Sequence, residues 1–251
     1  MRIAVAASLL AVLAAGCGSN SSSVGEAAPP TTTVTVTTRQ QATTTETSVE
    51  QPLALQLYFL APDGELAALT RVVERTQTPG ATTLHELTDP PEGLRTEVPS
   101  GLQLTIEDGR ADVTGARLNP PALAQVVYAL TTFPTVRSVN GKTRGDVEAF
   151  VPPILVEQPS PAETVTSPLH VMGNANTFEA TFNYELAAAN GKSLAKDFVT
   201  ASSGSGARGT FDFTIPFSVG VPQDGELRVF ERSAENGSIV HERVIPLHLA
   251  P

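Results

Sequence analysis

One cysteine, no tryptophan, four histidines and two methionines in 251 residues leave little material for several kinds of chemistry. A single thiol forms no internal disulfide framework and no thiolate metal cage. Basic residues are also scarce: 16 Lys and Arg stand against 26 Asp and Glu, a formal net charge of -10. The excess is even, with 12 acids and 8 bases over residues 51–150 and 11 acids and 6 bases over 151–251. No basic stripe is available to neutralise phosphates, so nucleic acid is excluded as a partner and attraction to anionic lipid does not provide an anchor. Nor is there a long apolar run. The one apolar stretch, Ile3 to Leu13, stops at Cys17 and the polar GSNSSS, well short of the roughly 20 residues that span a bilayer.

What is present begins with that stretch. Arg2 supplies a positive start, residues 3–13 an apolar middle, and Ala15-Gly16 the small residues before Cys17. The order is that of a cleaved export signal. The motif LAAGC (13–17) resembles the lipobox of bacterial lipoproteins, with Ala14 where Leu is more usual. The resemblance implies that residues 1–16 are a signal peptide and that Cys17 carries the lipid and begins the mature chain. Each buried acyl methylene contributes about 0.8 kcal/mol, so two or three chains hold a protein at a membrane surface almost permanently. The expected location is the outward face of the cell membrane.

Residues 17–51 contain the lipid-bearing cysteine and a Ser/Thr-rich stretch with no aromatic residue and few large aliphatic ones. Such a segment buries too little surface to offset chain entropy and is expected to be a disordered tether. Its 33 residues from 18 to 50 would average roughly 30 Å end to end and extend to about 110 Å.

Two patterns follow. In residues 52–150, LALQLYFL (53–60) reads as a strand ending at Pro62-Asp63-Gly64, while LAALTRVVER (66–75) fits either strand or helix. ATTLHEL (81–87) reads as a short helix that Pro90-Pro91 ends. LQLTIEDGRADVTG (102–115) reads as a hairpin around Asp108-Gly109. Asn119-Pro120-Pro121 starts a helix with Leu123, Val126, Val127 and Leu130 on one stripe. VRSVNGKT (136–143) and DVEAF (146–150) read as a second hairpin around Asn140-Gly141, completing an α+β domain.

Residues 151–251 differ in kind. FEATFNYEL (178–186) alternates Phe178, Ala180, Phe182, Tyr184 and Leu186 with polar residues, and TFDFTIPF (210–217) alternates Phe211, Phe213, Ile215 and Phe217. Strict alternation belongs to strands with one buried and one wet face. With the runs at 154–159, 169–173, 196–202, 227–232 and 244–249, it predicts an all-β sandwich of immunoglobulin-like type. SSGSGARG (202–209) reads as a flexible hairpin connection.

With those residues in view, the first pattern resembles a GerMN domain, the module of sporulation and spore-germination proteins found in bacterial envelope lipoproteins. LQLYFLAPDGEL, LRTEVPSG before IEDGRADVTG, and AQVVYALTTFPTVRSVNGK carry the likeness. The second resembles the immunoglobulin-like domain of bacterial spore germination, through PPILVEQPSPAETVTSPLHVMGNANTFEATFNYEL, RGTFDFTIPF and GELRVFERSAENG. The likeness covers roughly residues 52–250. It implies an envelope module that assembles with other components, and it supplies no catalytic residues.

Chemistry-bearing residues are sparse. His85, His170, His241 and His248 are scattered, and His85-Glu86 lacks a second histidine at zinc-protease spacing, so no metal site is expected. Asp108 and Asp112 flank a turn with too few oxygen ligands nearby for calcium. No nucleophile elbow or phosphate loop occurs. The expectation is a membrane-tethered, non-catalytic binding or assembly protein without cofactor, sporulation-type or cell-wall related. Its partners are envelope proteins or cell-wall components, and self-association is among the contacts it allows. The alternative is an accessory subunit of cell-wall hydrolysis, or a weak hydrolase.

Overall fold

The computed structural model describes residues 51–251. The expected signal peptide (1–16), Cys17 and nearly all of the expected tether lie outside the described residues. The α+β pattern comes first. Strands β1 (Leu53–Leu60) and β2 (Leu66–Val73) form an antiparallel hairpin, so the ambiguous 66–75 run is a strand. Helix α1 (Pro79–Glu86) follows, then β3 (Gln103–Glu107) and β4 (Arg110–Thr114). Their two-residue turn needs positive φ at both Asp108 and Gly109, 49° and 81°, which is the reason for Asp-Gly there. Helix α2 (Pro120–Leu130) is opened by Asn119, whose side chain accepts a hydrogen bond from the Ala122 N–H, with Pro120 at the position where a missing N–H costs nothing. Its stripe packs against β1, in a core with Leu57, Phe59, Val126, Val127 and Leu130 wholly buried.

The second hairpin of this half forms only at its turn: Asn140 and Gly141 take positive φ (47° and 74°) and Val139 and Lys142 exchange backbone hydrogen bonds, but no return strand follows. β5 is only Ser138–Val139 and pairs parallel with β4, and DVEAF belongs to a 3-10 helix, Arg144–Phe150. Asn140 ties this turn to β4: its N–H donates to the Ala111 carbonyl and its side-chain amide bonds both the N–H and the C=O of Val113. The Thr143 hydroxyl and N–H then both donate to the Asp146 carboxylate, which starts a helical turn where a strand would have to begin.

The sandwich has eight strands: β6 (Ile154–Gln158), β7 (Glu163–Val165), β8 (Leu169–Ala175), β9 (Thr181–Ala188), β10 (Ser193–Thr200), β11 (Gly209–Ile215), β12 (Gln223–Arg232) and β13 (Ile239–Leu249). They form sheets of order β10-β9-β12-β13-β7 and β11-β8-β6, giving the expected all-β fold. Phe182, Leu186, Phe211 and Ile215 fill the space between them, and the Phe182 and Phe211 rings meet edge to face at 4.9 Å.

Two expectations in this half need correction. Phe178 is 57% exposed, because Glu179 and Ala180 take positive φ (54° and 59°) in a 3-10 turn that breaks the alternation before β9 starts. Residues 202–208 are not a hairpin loop, since β10 and β11 lie in different sheets. They are pinned as well: the Gly206 N–H donates to Asn176 Oδ1 and the Glu179 N–H to Ser205 Oγ. A Cβ at Gly204 would come within 2.5 Å of the Ala180 backbone, so only glycine fits that close approach.

The two halves meet through β6. Its ILV run is apolar at three successive positions because both faces are buried. Ile154 and Val156 point into the sandwich core, while Leu155, 2% exposed, enters the core of the first half.

Candidate functional site

The residues singled out in the sequence do not converge. Cys17 lies outside the described residues. His85 is exposed on α1. His170 pairs with Asp212 at 2.6 Å, His241 with Glu231 at 2.9 Å and His248 with Asp224 at 2.6 Å, each with a different carboxylate. Asp108 sits in its turn, held by Arg137, and Asp112 faces solvent on β4. Among the described residues no three His, Cys, Asp or Glu side chains gather as a metal would require.

A different site lies at the junction. On the face of β6 that meets the first half, the Glu157 carboxylate accepts from the Tyr58 hydroxyl at 2.6 Å, from Arg144 at 3.3 Å and from Asn174 at 3.2 Å. Gln56 donates to its backbone carbonyl. Arg144 also lies 4.6 Å above the Tyr128 ring, which packs on Tyr58. Nearby, Arg208 of β11's approach binds the Glu148 carboxylate at 2.8 Å and the Pro152 carbonyl at 3.0 Å. Burial, and next the negative Glu157, push the Tyr58 phenol well above its ordinary value. Burial pushes Tyr128 up to about 12, and its buried hydroxyl has no hydrogen-bond partner among the described residues. Arg144 is matched by Glu157 and Arg208 by Glu148, and two carboxylates, each with its own arginine, offer a metal too few ligands. The cluster is a clasp.

Beside it opens a cleft of about 720 Å³, mostly apolar, lined by β2, β6 and β13 together with residues of the 61–65 turn and the 91–94 loop. Prolines 62, 91, 152, 159, 161 and 246 stiffen its rim. Asp63, Glu92 and Glu242 stand around it with Arg243, whose guanidinium is tied to Asp63 and Glu65. Its size lies within the roughly 300–1,000 Å³ of typical ligand sites. Neither clasp nor cleft was foreseen from the sequence. The usable signal was the unalternated ILV of β6 between Pro152-Pro153 and Pro159.

Comparison with known proteins agrees with this architecture. Residues 56–140 match the family model described as sporulation and spore germination, and residues 153–238 that of the immunoglobulin-like domain of bacterial spore germination. The chain is therefore a two-module protein of the sporulation and germination type: a GerMN domain followed by a spore-germination immunoglobulin-like domain. No curated protein matches it. Among solved structures it is similar to the tandem GerMN domains of the sporulation protein GerM from Bacillus subtilis, at 15% identity and a TM-score of 0.33. That alignment covers 66% of this chain and 62% of the other, so the chain spans less than two thirds of that protein's length. It is also similar to CopC from Methylosinus trichosporium OB3b, at 16% identity and a TM-score of 0.26, over 39% of this chain and 94% of that one. Scores of this size fall short of establishing a common fold.

Proposed function

We propose that this is a lipid-anchored protein of the bacterial cell envelope, held by Cys17 on the outward side of the membrane and acting by contact with envelope components. The observation that carries this reading is the apolar cleft built jointly by both modules. A surface of that composition, clasped open by matched ion pairs, suits recognition of another molecule better than reaction with it. The sporulation and germination matches support a role in that kind of envelope process. Among the described residues no helix is long and apolar enough to cross a membrane, and the Cys17 lipid supplies the attachment in this reading.

Crosslinking in native membranes followed by pull-down tests the reading, and a protein or cell-wall partner recovered reproducibly is the expected result. Cys17→Ser should shift the protein from the detergent phase to the aqueous phase or leave it unprocessed. Partitioning equal to wild type would refute the anchor. Single substitutions of His85, His170, His241, His248, Asp108 and Asp112 should each leave cellular function intact. If any one abolished it without loss of folding or membrane level, a catalytic or metal site would replace contact as the mechanism.

A further inference from the structure

The cleft's side chains are apolar, but its walls are strand edges. In the β1–β2 hairpin the Ala61 N–H donates to the Glu65 carbonyl, which fixes which residues face the partner strand. Phe59/Ala67 and Leu57/Leu69 then bond across the ladder, and Leu66, Ala68 and Thr70 turn their backbone groups outward. The Thr70 N–H confirms the direction by donating outward to Ser160 Oγ at 2.8 Å. On β6 the Asn176 N–H donates to the Pro153 carbonyl, so Pro153 and Leu155 face β8 while Ile154 and Val156 face away. On β13, Pro246 has no N–H, and its carbonyl accepts from Ala162 on the side away from β12; two residues back, Val244 faces the same way.

Leu66, Ala68, Ile154, Val156 and Val244 all line the cleft, and their outward backbone groups have no hydrogen-bond partner among the described residues. Unpaired main-chain donors and acceptors at the wall of an apolar cavity are costly unless something supplies their complement. A lipid tail or an apolar small molecule would fill the volume and leave those groups unmatched. An extended polypeptide satisfies both demands, pairing its backbone with an edge and placing alternate side chains in the apolar space. The rim adds a sign. Of its carboxylates, Glu92 makes no ion pair among the described residues, while the one rim cation, Arg243, is already held by Asp63 and Glu65.

We propose that the cleft receives, by strand addition, an extended segment of a partner protein, about five residues long, with small apolar side chains at alternate positions and a basic residue beside them. The inference rests on the reading of the protein as a binding module.

The test is fluorescence anisotropy of the full chain with a labelled Lys-Val-Thr-Val-Thr-Val amide, set against the same peptide methylated on alternate backbone nitrogens. The parent should bind saturably at one site, and methylation should weaken it by about tenfold or more. Val244→Asp, at a position 49% exposed and so tolerant of change, should do the same. Glu92→Lys should weaken the lysine-bearing peptide and leave its Thr-for-Lys version unchanged. Thermal melts by circular dichroism confirm that both variants are folded. No saturable binding, or equal binding of parent and methylated peptides, overturns the proposal. A concentration-dependent dimer abolished by Val244→Asp also overturns it, in favour of a second copy of this chain. If the peptide fails while native membranes still yield a crosslinked partner, only the cleft inference falls. If the peptide binds while crosslinking fails, the cleft inference stands and the envelope reading does not.

Discussion

Leu155→Ala perturbs both modules through one side chain. Leu155 belongs to β6, a strand of the sandwich, but its side chain is buried in the core of the GerMN domain. Removing three buried carbons from a well-packed core costs the transfer energy of those atoms plus the energy of the cavity left behind, about 3 to 4 kcal/mol for a site this enclosed. In a chain of some 200 folded residues that corresponds to a fall of about 6 to 16 °C in Tm. The protein has no tryptophan and three tyrosines, of which Tyr58 and Tyr128 lie in the first module. Tyrosine fluorescence in urea therefore reports mainly the first module, and far-ultraviolet circular dichroism reports the whole. Because β6 is shared, both signals should shift to lower urea together. In a fragment of residues 152–251, which retains the whole sandwich core, the same side chain already faces water, and the substitution should change stability by less than about 0.5 kcal/mol. A loss below about 1 kcal/mol in the full chain, or equal losses in chain and fragment, would refute the assignment of Leu155 to the first core.

Three further outcomes are expected. An unfolded tyrosine ionises near 10 and Tyr128 near 12, so the stability gained by keeping it neutral is complete below pH 10 and is lost as pH rises to 12, up to about 3 kcal/mol. Tyr128→Phe should lessen the pH dependence of urea midpoints in that window, the remainder belonging to Tyr58, and, because the hydroxyl has no partner, cost little at pH 7. Asn119→Ala should lower stability by about 1 kcal/mol in the same melts by uncapping α2. Phe182→Ala should cost about 3 to 5 kcal/mol, whereas Phe213→Ala, only partly buried, should cost about 2; the reverse order would mean the two rings' burial is misassigned.

Sequence pattern revealed most where a local rule acted alone. Asp108-Gly109 and Asn119-Pro120 each determine their own backbone geometry, and both turn and cap appear where expected. The rows of Phe182 and Phe211 were legible because a sheet with one wet face imposes a period of two. Asn140-Gly141 makes the turn it announces, but the return strand expected at DVEAF is lost, because Asp146 accepts from the Thr143 N–H and hydroxyl and starts a 3-10 helix directly after the turn. Phe178 misled because alternation does not reveal two residues of positive φ, and the carboxylate that receives the Phe178 N–H, Glu231, is 53 residues distant. The clasp was invisible for the same cause: Tyr58 and Glu157 are 99 residues apart, and nothing local in either segment marks the pairing.

The polar character of that clasp bears on how the cleft keeps its shape. An apolar seam between the modules would hold them as firmly, since ion pairs removed from water regain little more than their desolvation cost. It would not fix their rotation, because apolar contacts are nondirectional. Glu157 accepts from three donors, on β1, on the first residue of the 3-10 helix and on β8, and the first two of these cross between the modules with directional geometry. Arg208 adds a second such constraint between Glu148 of the first module and the carbonyl of Pro152. The cleft needs that precision, because its walls come from β2 on one side and from β6 and β13 on the other. A slide of a few ångströms between modules would close it or carry its strand edges out of reach of a bound chain. Directional polar contacts at the join and unpaired strand edges beside it are thus two parts of one device: the first holds the geometry that makes the second usable.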